Sequence, residues 1–277
     1  MVITGATSGI GEVAALGLAQ RGARIVLVAR DPERASATLR RLAAAGPSAA
    51  HAAYLADLSV IAEQRRVARE IAAAEPRIDV LINNAGALIM GRTRTADGLA
   101  ATFSLNHLAY YVLTLLLLPR IQESVQPRIV CTTSRAHRQG RIDFDHLQRN
   151  GLAGYAQSKL ANLLFVRRLA QLLAGSEVSV NAVHPGFVAT RFADNCGRGW
   201  GLLARCFKAL AAISPEAGAQ TLILLAQSEE LSGHSGGYYV RGALAETSAR
   251  ARSDADAEQL WQISAQLTGV DIGPSRA

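Results

Sequence analysis

Apolar residues along this chain alternate between short β-branched runs and longer stretches with helical spacing. The runs VIT (2–4), RIVLVA (24–29), HAAYLADL (51–58), RIDVLINNAG (77–86), RIVCTTS (128–134), VSVNAVHPG (178–186) and GGYYV (236–240) predict strands. Between them, 11–22, 31–46, 59–75, 96–123, 153–174 and 214–228 predict helices, and 254–268 predicts a closing amphipathic helix. Helix 31–46 carries its own signals: Asp31 as N-cap, Pro32 in the first turn and Gly46 past the end. Strands separated by helices of this length imply right-handed crossovers and a parallel sheet covered on both faces. The expected fold class is α/β, one doubly wound domain over residues 1–277.

Composition narrows the function classes. Apolar residues make up 49% of the 277, which suits an ordered chain with a sizeable core. A net charge of +7 raises the question of nucleic acid. The arginines, however, are scattered over helical segments (Arg65, Arg66, Arg69; Arg167, Arg168) and read as solvated faces, so no nucleic-acid role is expected. Cys131, Cys196 and Cys206 form no CxxC pair, so neither metal nor disulfide is expected and the thiols are read as free in a cytoplasmic protein. The most apolar run, LAYYVLTLLLLP (108–119), is shorter than the ~20 residues a bilayer requires. It is read as a buried or interface helix, without stable membrane insertion.

Candidate chemistry begins at TGATSGIG (4–11), between the first strand and the first helix. Gly5 permits a tight turn, Gly9 lets the backbone approach a pyrophosphate, and Gly11 lets helix and strand pack closely. The helix N-terminus offers unpaired N–H groups to phosphate. At the end of the second strand stands Arg30, where an acidic residue would favour NAD. A guanidinium there fits a 2′-phosphate, so NADP(H) is the expected cofactor. Asp31 is read as the helix cap.

Taken together, TGxxxGxG, ADLS with Asp57, NNAG (83–86), SLNHLAYY with Asn106, TTSRAH with Ser134, YAQSK with Tyr155 and Lys159, and HPGFVAT follow one another as in the short-chain dehydrogenase/reductase family, which the chain resembles from residue 2 to about 245. SRAHRQGRIDFDHLQ and YAQSKLANLLF further resemble its retinol-dehydrogenase-like branch. The resemblance implies a Rossmann-type NAD(P)-binding fold and a cofactor set of Gly5, Thr7, Ser8, Gly9, Ile10, Gly11, Arg30, Asp57, Leu58, Asn83, Ala85, Gly86, Tyr155, Lys159, Pro185, Gly186, Val188 and Thr190. It also implies a lipophilic alcohol or carbonyl substrate. By the same likeness the apolar helices around 105–118 and 160–174 pair between subunits of a homodimer or homotetramer.

The catalytic residues implied are Asn106, Ser134, Tyr155 and Lys159. Tyr155 is the acid/base. Lys159, one helical turn on, is expected to lower the tyrosine pKa from ~10 and to bond the nicotinamide ribose. Ser134 holds the substrate oxygen, and Asn106 kinks its helix and carries a water to Lys159. His107 and His137 are left as structural or substrate-contacting. In a chain with only two lysines, Lys159 and Lys208, position 159 calls for a compact ammonium where a guanidinium fork would fit poorly.

After Thr190 the segment of about 190–215 places Trp200, Leu202, Leu203, Phe207 and Leu210 at helical spacing, as a packed helix or a lid over the substrate. Ala109 stands where relatives often have glycine. The first strand is short beside those of the family, so residues ahead of Met1 are expected to add stability. A catalytically idle NADP-binding regulator on the same fold is the alternative reading.

Overall fold

A computed structural model describes residues 1–46, 50–186 and 214–272. The chain runs β1 (Val2–Thr4), α1 (Gly9–Gln20), β2 (Val26–Ala29), α2 (Pro32–Ala45), β3 (Ala52–Leu55), α3 (Ile61–Ala74) and β4 (Val80–Asn83). The helix α4 (Ala101–Gln122) follows, then β5 (Arg128–Thr132), α5 (Gly151–Leu172) and β6 (Ser179–His184). Last come α6 (Pro215–Gln227), β7 (Tyr238–Val240), β8 (Ala243–Leu244) and α7 (Asp254–Thr268).

All eight strands form one sheet in the order β3-β2-β1-β4-β5-β6-β7-β8, parallel throughout except for β8. Ile3 of β1 pairs with Leu27 on one side and Ile82 on the other, so the winding reverses direction between β1 and β4. A crevice opens at such a reversal, beyond the C-terminal strand ends. Side chains alternate along each strand. Leu27 and Ile82 enter a core with Leu18 of α1 and Leu222 of α6, while Val26, Val28 and Leu81 face a larger core under α3, α4 and α5. Both faces are buried, which explains the unbroken apolar strands.

Local signals set several boundaries. Asp31 caps α2, accepting from the backbone N–H of Glu33 and Arg34 at 3.0 and 3.1 Å. The strand expected over 51–58 ends at Leu55, because Asp57 folds the chain into a turn by accepting from the Ser59 N–H and hydroxyl. The helix expected from 96 starts at Ala101. Asp97 is taken by the Ile61 N–H at the head of α3, Gly98 is left-handed (φ 73°), and Thr95 bonds Leu99 across the turn. β8, a two-residue antiparallel addition to β7, went unmarked by any apolar run.

The run 108–119 lies inside the 22-residue α4, which is long and apolar enough to cross a membrane by length and composition. In the fold, 89% of its apolar 18-residue window is buried within the protein, so α4 is a core helix. α7 packs against α5 and reaches Tyr111 of α4. Trp261 stacks on Phe165 (5.9 Å between ring centres, 12° between planes) and meets Tyr111 edge-on at 5.0 Å. Arg167 grips Asp254 through two bonds of 2.7 and 3.0 Å.

Candidate active site

Every described candidate residue except Asn106, Tyr155, Lys159 and the first α1 residues Gly9, Ile10 and Gly11 lies at or just beyond the C-terminal end of a strand: Gly5 after β1, Arg30 after β2, Asp57 after β3, Gly86 after β4, Ser134 after β5, Pro185 and Gly186 after β6. Val188, Thr190 and the aromatic positions of the 190–215 segment lie outside the described residues, as do Cys196, Cys206 and Lys208.

The glycine turn is built for close approach. Gly5 is left-handed (φ 66°), and a Cβ there would come within 2.8 Å of the Ala85 backbone. A Cβ on Gly11 would overlap Gly5 O and the Asn84 amide. Ser8 precedes α1 in extended conformation but makes no side-chain cap, so the first-turn N–H groups around Ile10 stay open beside Thr7. Arg30 is exposed; Leu58 is buried behind Asp57.

Behind the turn, Thr4 and Asn84 of NNAG weld the strands, though neither is among the expected site residues. Thr4 Oγ1 accepts from the Asn84 and Ala85 N–H groups, both at 2.9 Å. Asn84 Nδ2 donates to Thr4 O (3.1 Å), and its Oδ1 accepts from Thr132 Oγ1 (3.3 Å). Both were visible in the motifs, as the first Thr of TGxxxGxG and the second Asn of NNAG. Asn83, by contrast, points into the core, where its amide donates to Thr114 Oγ1 at 2.9 Å.

Asn106 lies in a π turn, Ser104–Leu108, that interrupts α4; this is the form the expected kink takes. Its side chain is fully engaged. Oδ1 accepts from Ala87 N (2.9 Å), and Nδ2 donates to Ala87 O (3.0 Å) and Ser158 Oγ (3.1 Å). The side chain therefore holds the loop after β4. A Cβ on Gly86 would stand 3.2 Å from Asn106 Oδ1 and 3.3 Å from Lys159 Nζ, so only glycine leaves this corner open.

Tyr155 and Lys159 leave α5 one turn apart, and Lys159 Nζ lies 5.6 Å from the Tyr155 ring centre. The Tyr155 hydroxyl is hydrogen-bonded to Ser134, the residue that caps the short 3₁₀ turn Arg135–Gln139 by accepting from Ala136 N. Burial pushes the Tyr155 phenol up to about 12, partly offset by the Ser134 bond. The shift thus runs opposite to the expected lowering by Lys159, and what offsets it comes from Ser134. The same burial pulls Lys159 down to about 8. Its ammonium donates to Thr132 O at 3.2 Å. His137 is structural: Nδ1–H donates to Ser134 O at 2.8 Å, which fixes the Ser134 backbone. Cys131 is a buried free thiol, pushed up to about 12.

A phenol tied to a serine, an ammonium behind it and a glycine turn opposite form a site for proton transfer beside a bound dinucleotide. Residues 1–199 match the short chain dehydrogenase family. The chain belongs to that family. Within it, this dehydrogenase falls with the retinol-dehydrogenase-like branch. It is 39% identical to dehydrogenase/reductase SDR family member 13 of Bos taurus, over 98% of this chain and 74% of that one. With retinol dehydrogenase 11 of Homo sapiens it shares 38% over 98% and 86%. Among solved structures, a protein of Mycobacterium paratuberculosis superposes with a TM-score of 0.78 at 32% identity, covering 98% of this chain and 93% of the other. A short chain dehydrogenase of Burkholderia cenocepacia in complex with NADP gives 0.69 at 25%, covering 91% and 97%. The protein is accordingly an oxidoreductase acting on CH–OH groups with a nicotinamide cofactor. The cradle fits that cofactor: a turn that a Cβ would fill, and an α1 N-terminus left without a side-chain cap.

Proposed function

We propose that this dehydrogenase is an NADP(H)-dependent oxidoreductase interconverting a lipophilic alcohol and its aldehyde or ketone. The observation that carries the reading is the Ser134–Tyr155 hydrogen bond at the sheet's C-terminal mouth, with Lys159 one turn behind. The bound cofactor supplies or accepts a hydride at nicotinamide C4. Ser134 orients the substrate oxygen. Tyr155 gives its proton to that oxygen in reduction and takes it back in oxidation. With its phenol pushed up to about 12, Tyr155 holds its proton at neutral pH, which suits the acid of a carbonyl reduction. Lys159 stabilises the phenolate left behind and reaches the nicotinamide ribose.

NADP is favoured over NAD by the exposed Arg30 directly after β2, while Asp31 is committed to the α2 cap. The NADP complex of the Burkholderia relative agrees with this preference. The lipophilic substrate rests on the retinol dehydrogenases among the relatives. A screen of NADPH oxidation across retinals, steroid ketones, medium-chain aldehydes and quinones, with NADH in parallel, tests the reading. The expected result is NADPH-dependent turnover that Tyr155→Phe abolishes. NADPH binding with no turnover anywhere in the panel would favour the idle regulator, and faster turnover with NADH would overturn the role of Arg30.

A further inference from the structure

The carbonyl of Thr132, at the end of β5, gathers three side-chain donors. Lys159 Nζ lies at 3.2 Å, Asn162 Nδ2 at 3.4 Å and the Tyr110 hydroxyl at 3.5 Å. A carbonyl oxygen has two lone pairs, so these donors compete. Asn162 follows Lys159 by three residues on α5 and is completely buried. With its nitrogen on Thr132 O, its oxygen faces His107 Nδ1 at 3.4 Å, which requires the proton of that ring on Nδ1. His107 Nε2 is then an acceptor for the Ser264 hydroxyl of α7 at 3.0 Å, in competition with Leu260 O, which lies 2.8 Å from the same hydroxyl. His107 and Ser264 are buried like Asn162. Burial pulls His107 down to about 4, so the ring stays neutral at physiological pH.

We propose that Asn162 is a positioning residue for Lys159, and that His107 and Ser264 fix which way its amide faces. The idea rests on the reading of Lys159 as the partner of Tyr155. By taking a share of Thr132 O, the Asn162 amide leaves the ammonium only partly bound there, and its other N–H bonds remain available toward Tyr155 and a ribose hydroxyl. Without the amide, Lys159 takes the carbonyl more fully and its charged form gains. If His107 no longer holds it, the amide is free to turn its oxygen toward the ammonium, with the same result. The other titratable groups around Lys159 are Tyr155 on its own helix, Tyr110 of α4 and Cys131 of β5. Polarity alone at 107 and 162 does not mark the arrangement, because its third member comes from 157 positions further along the chain than His107.

Two lysines in the chain make the test direct. In a Lys208→Arg background, lysine labelled with ¹³C at Cε reports one side chain, and its chemical shift is followed against pH. Lys159 is expected to titrate well below an ordinary lysine. Asn162→Leu and His107→Leu are expected to raise that midpoint by roughly half a pH unit, the size of redistributing one ordinary hydrogen bond. His107→Gln, whose amide can donate to Asn162, is expected to restore it. Ser264→Ala, a milder change, moves it the same way and serves if the leucine variants do not fold. An unmoved midpoint in folded Asn162→Leu, or failing that in Ser264→Ala, overturns the proposal, as does His107→Gln behaving like His107→Leu. Turnover of Tyr155→Phe is measured alongside. Activity that survives there sinks the acid/base reading, whereas a dead Tyr155→Phe with an unmoved lysine titration sinks only the role of Asn162.

Discussion

Lys159 Nζ stands 5.6 Å from the centre of the Tyr155 ring, and burial drives the titrations of the two groups apart, the lysine down to about 8 and the phenol up to about 12. The lysine therefore costs the fold stability that its chemistry requires. Its folded pKa lies below the unfolded 10.5, so the unfolded chain binds more protons between about pH 8 and 10.5, and stability rises with pH across that window. Below pH 8 the cost is fully present. Lys159→Met should accordingly be more stable at pH 7 by on the order of 1–3 kcal/mol, with the gap closing by about pH 10.5, and should be inactive. Urea midpoints at pH 7, 9 and 10.5 check the sign. Lys159→Arg should keep the fold and lose most activity, and near-normal turnover would contradict the need for a compact ammonium.

Cofactor choice is expected to rest on one exposed guanidinium. Arg30→Ala should weaken NADPH binding by roughly 10–100-fold, the loss of one charge-assisted contact, and leave NADH binding nearly unchanged. Fluorescence titration with both nucleotides measures it, and equal losses for the two would mean that Arg30 does not read the 2′-phosphate.

Acid sensitivity should appear earlier than carboxylate titration alone would give. Burial pulls both His107 and His184 down from 6.5 to about 4, so in that interval the unfolded chain binds the extra protons and stability falls with the pH. From His107 the loss is of order 2–3 kcal/mol. His107→Gln should flatten the decline between pH 6.5 and 4.5 in denaturant melts, and an unchanged slope would be evidence against a neutral buried ring.

The Tyr111 hydroxyl is buried, and among the described residues it has no hydrogen-bond partner. Its ring, however, is packed against Phe165 and Trp261. Tyr111→Phe keeps the ring and removes the orphan, so thermal stability should stay level or rise by up to about 1 kcal/mol. A clear fall in Tm would contradict this account.

Much of this was legible in the sequence because it is local or periodic. The turn at Gly5–Gly11 needs glycine for backbone reasons, Asp31 and Pro32 announce α2, and the i, i+4 spacing of Tyr155 and Lys159 puts both on one face. What escaped depends on residues distant in the chain. Asp97 stops the stretch before α4 from being helical because it caps α3. Thr4 and Asn84 stand in visible motifs, but the partners they bond between β1 and the end of β4 show only in the fold. The direction of the Tyr155 shift reflects how deeply the finished fold buries the phenol, which no spacing reveals.

The stacking of Trp261 on Phe165 also has a bearing on synthesis. α5 is made long before α7, so for that interval Tyr111 and Phe165 of the nascent chain lack the cover they later receive. An aromatic patch shared by α4 and the helix that bears the catalytic pair is then open to chaperones or to other growing chains. The helix that does the chemistry is among the last to be sealed.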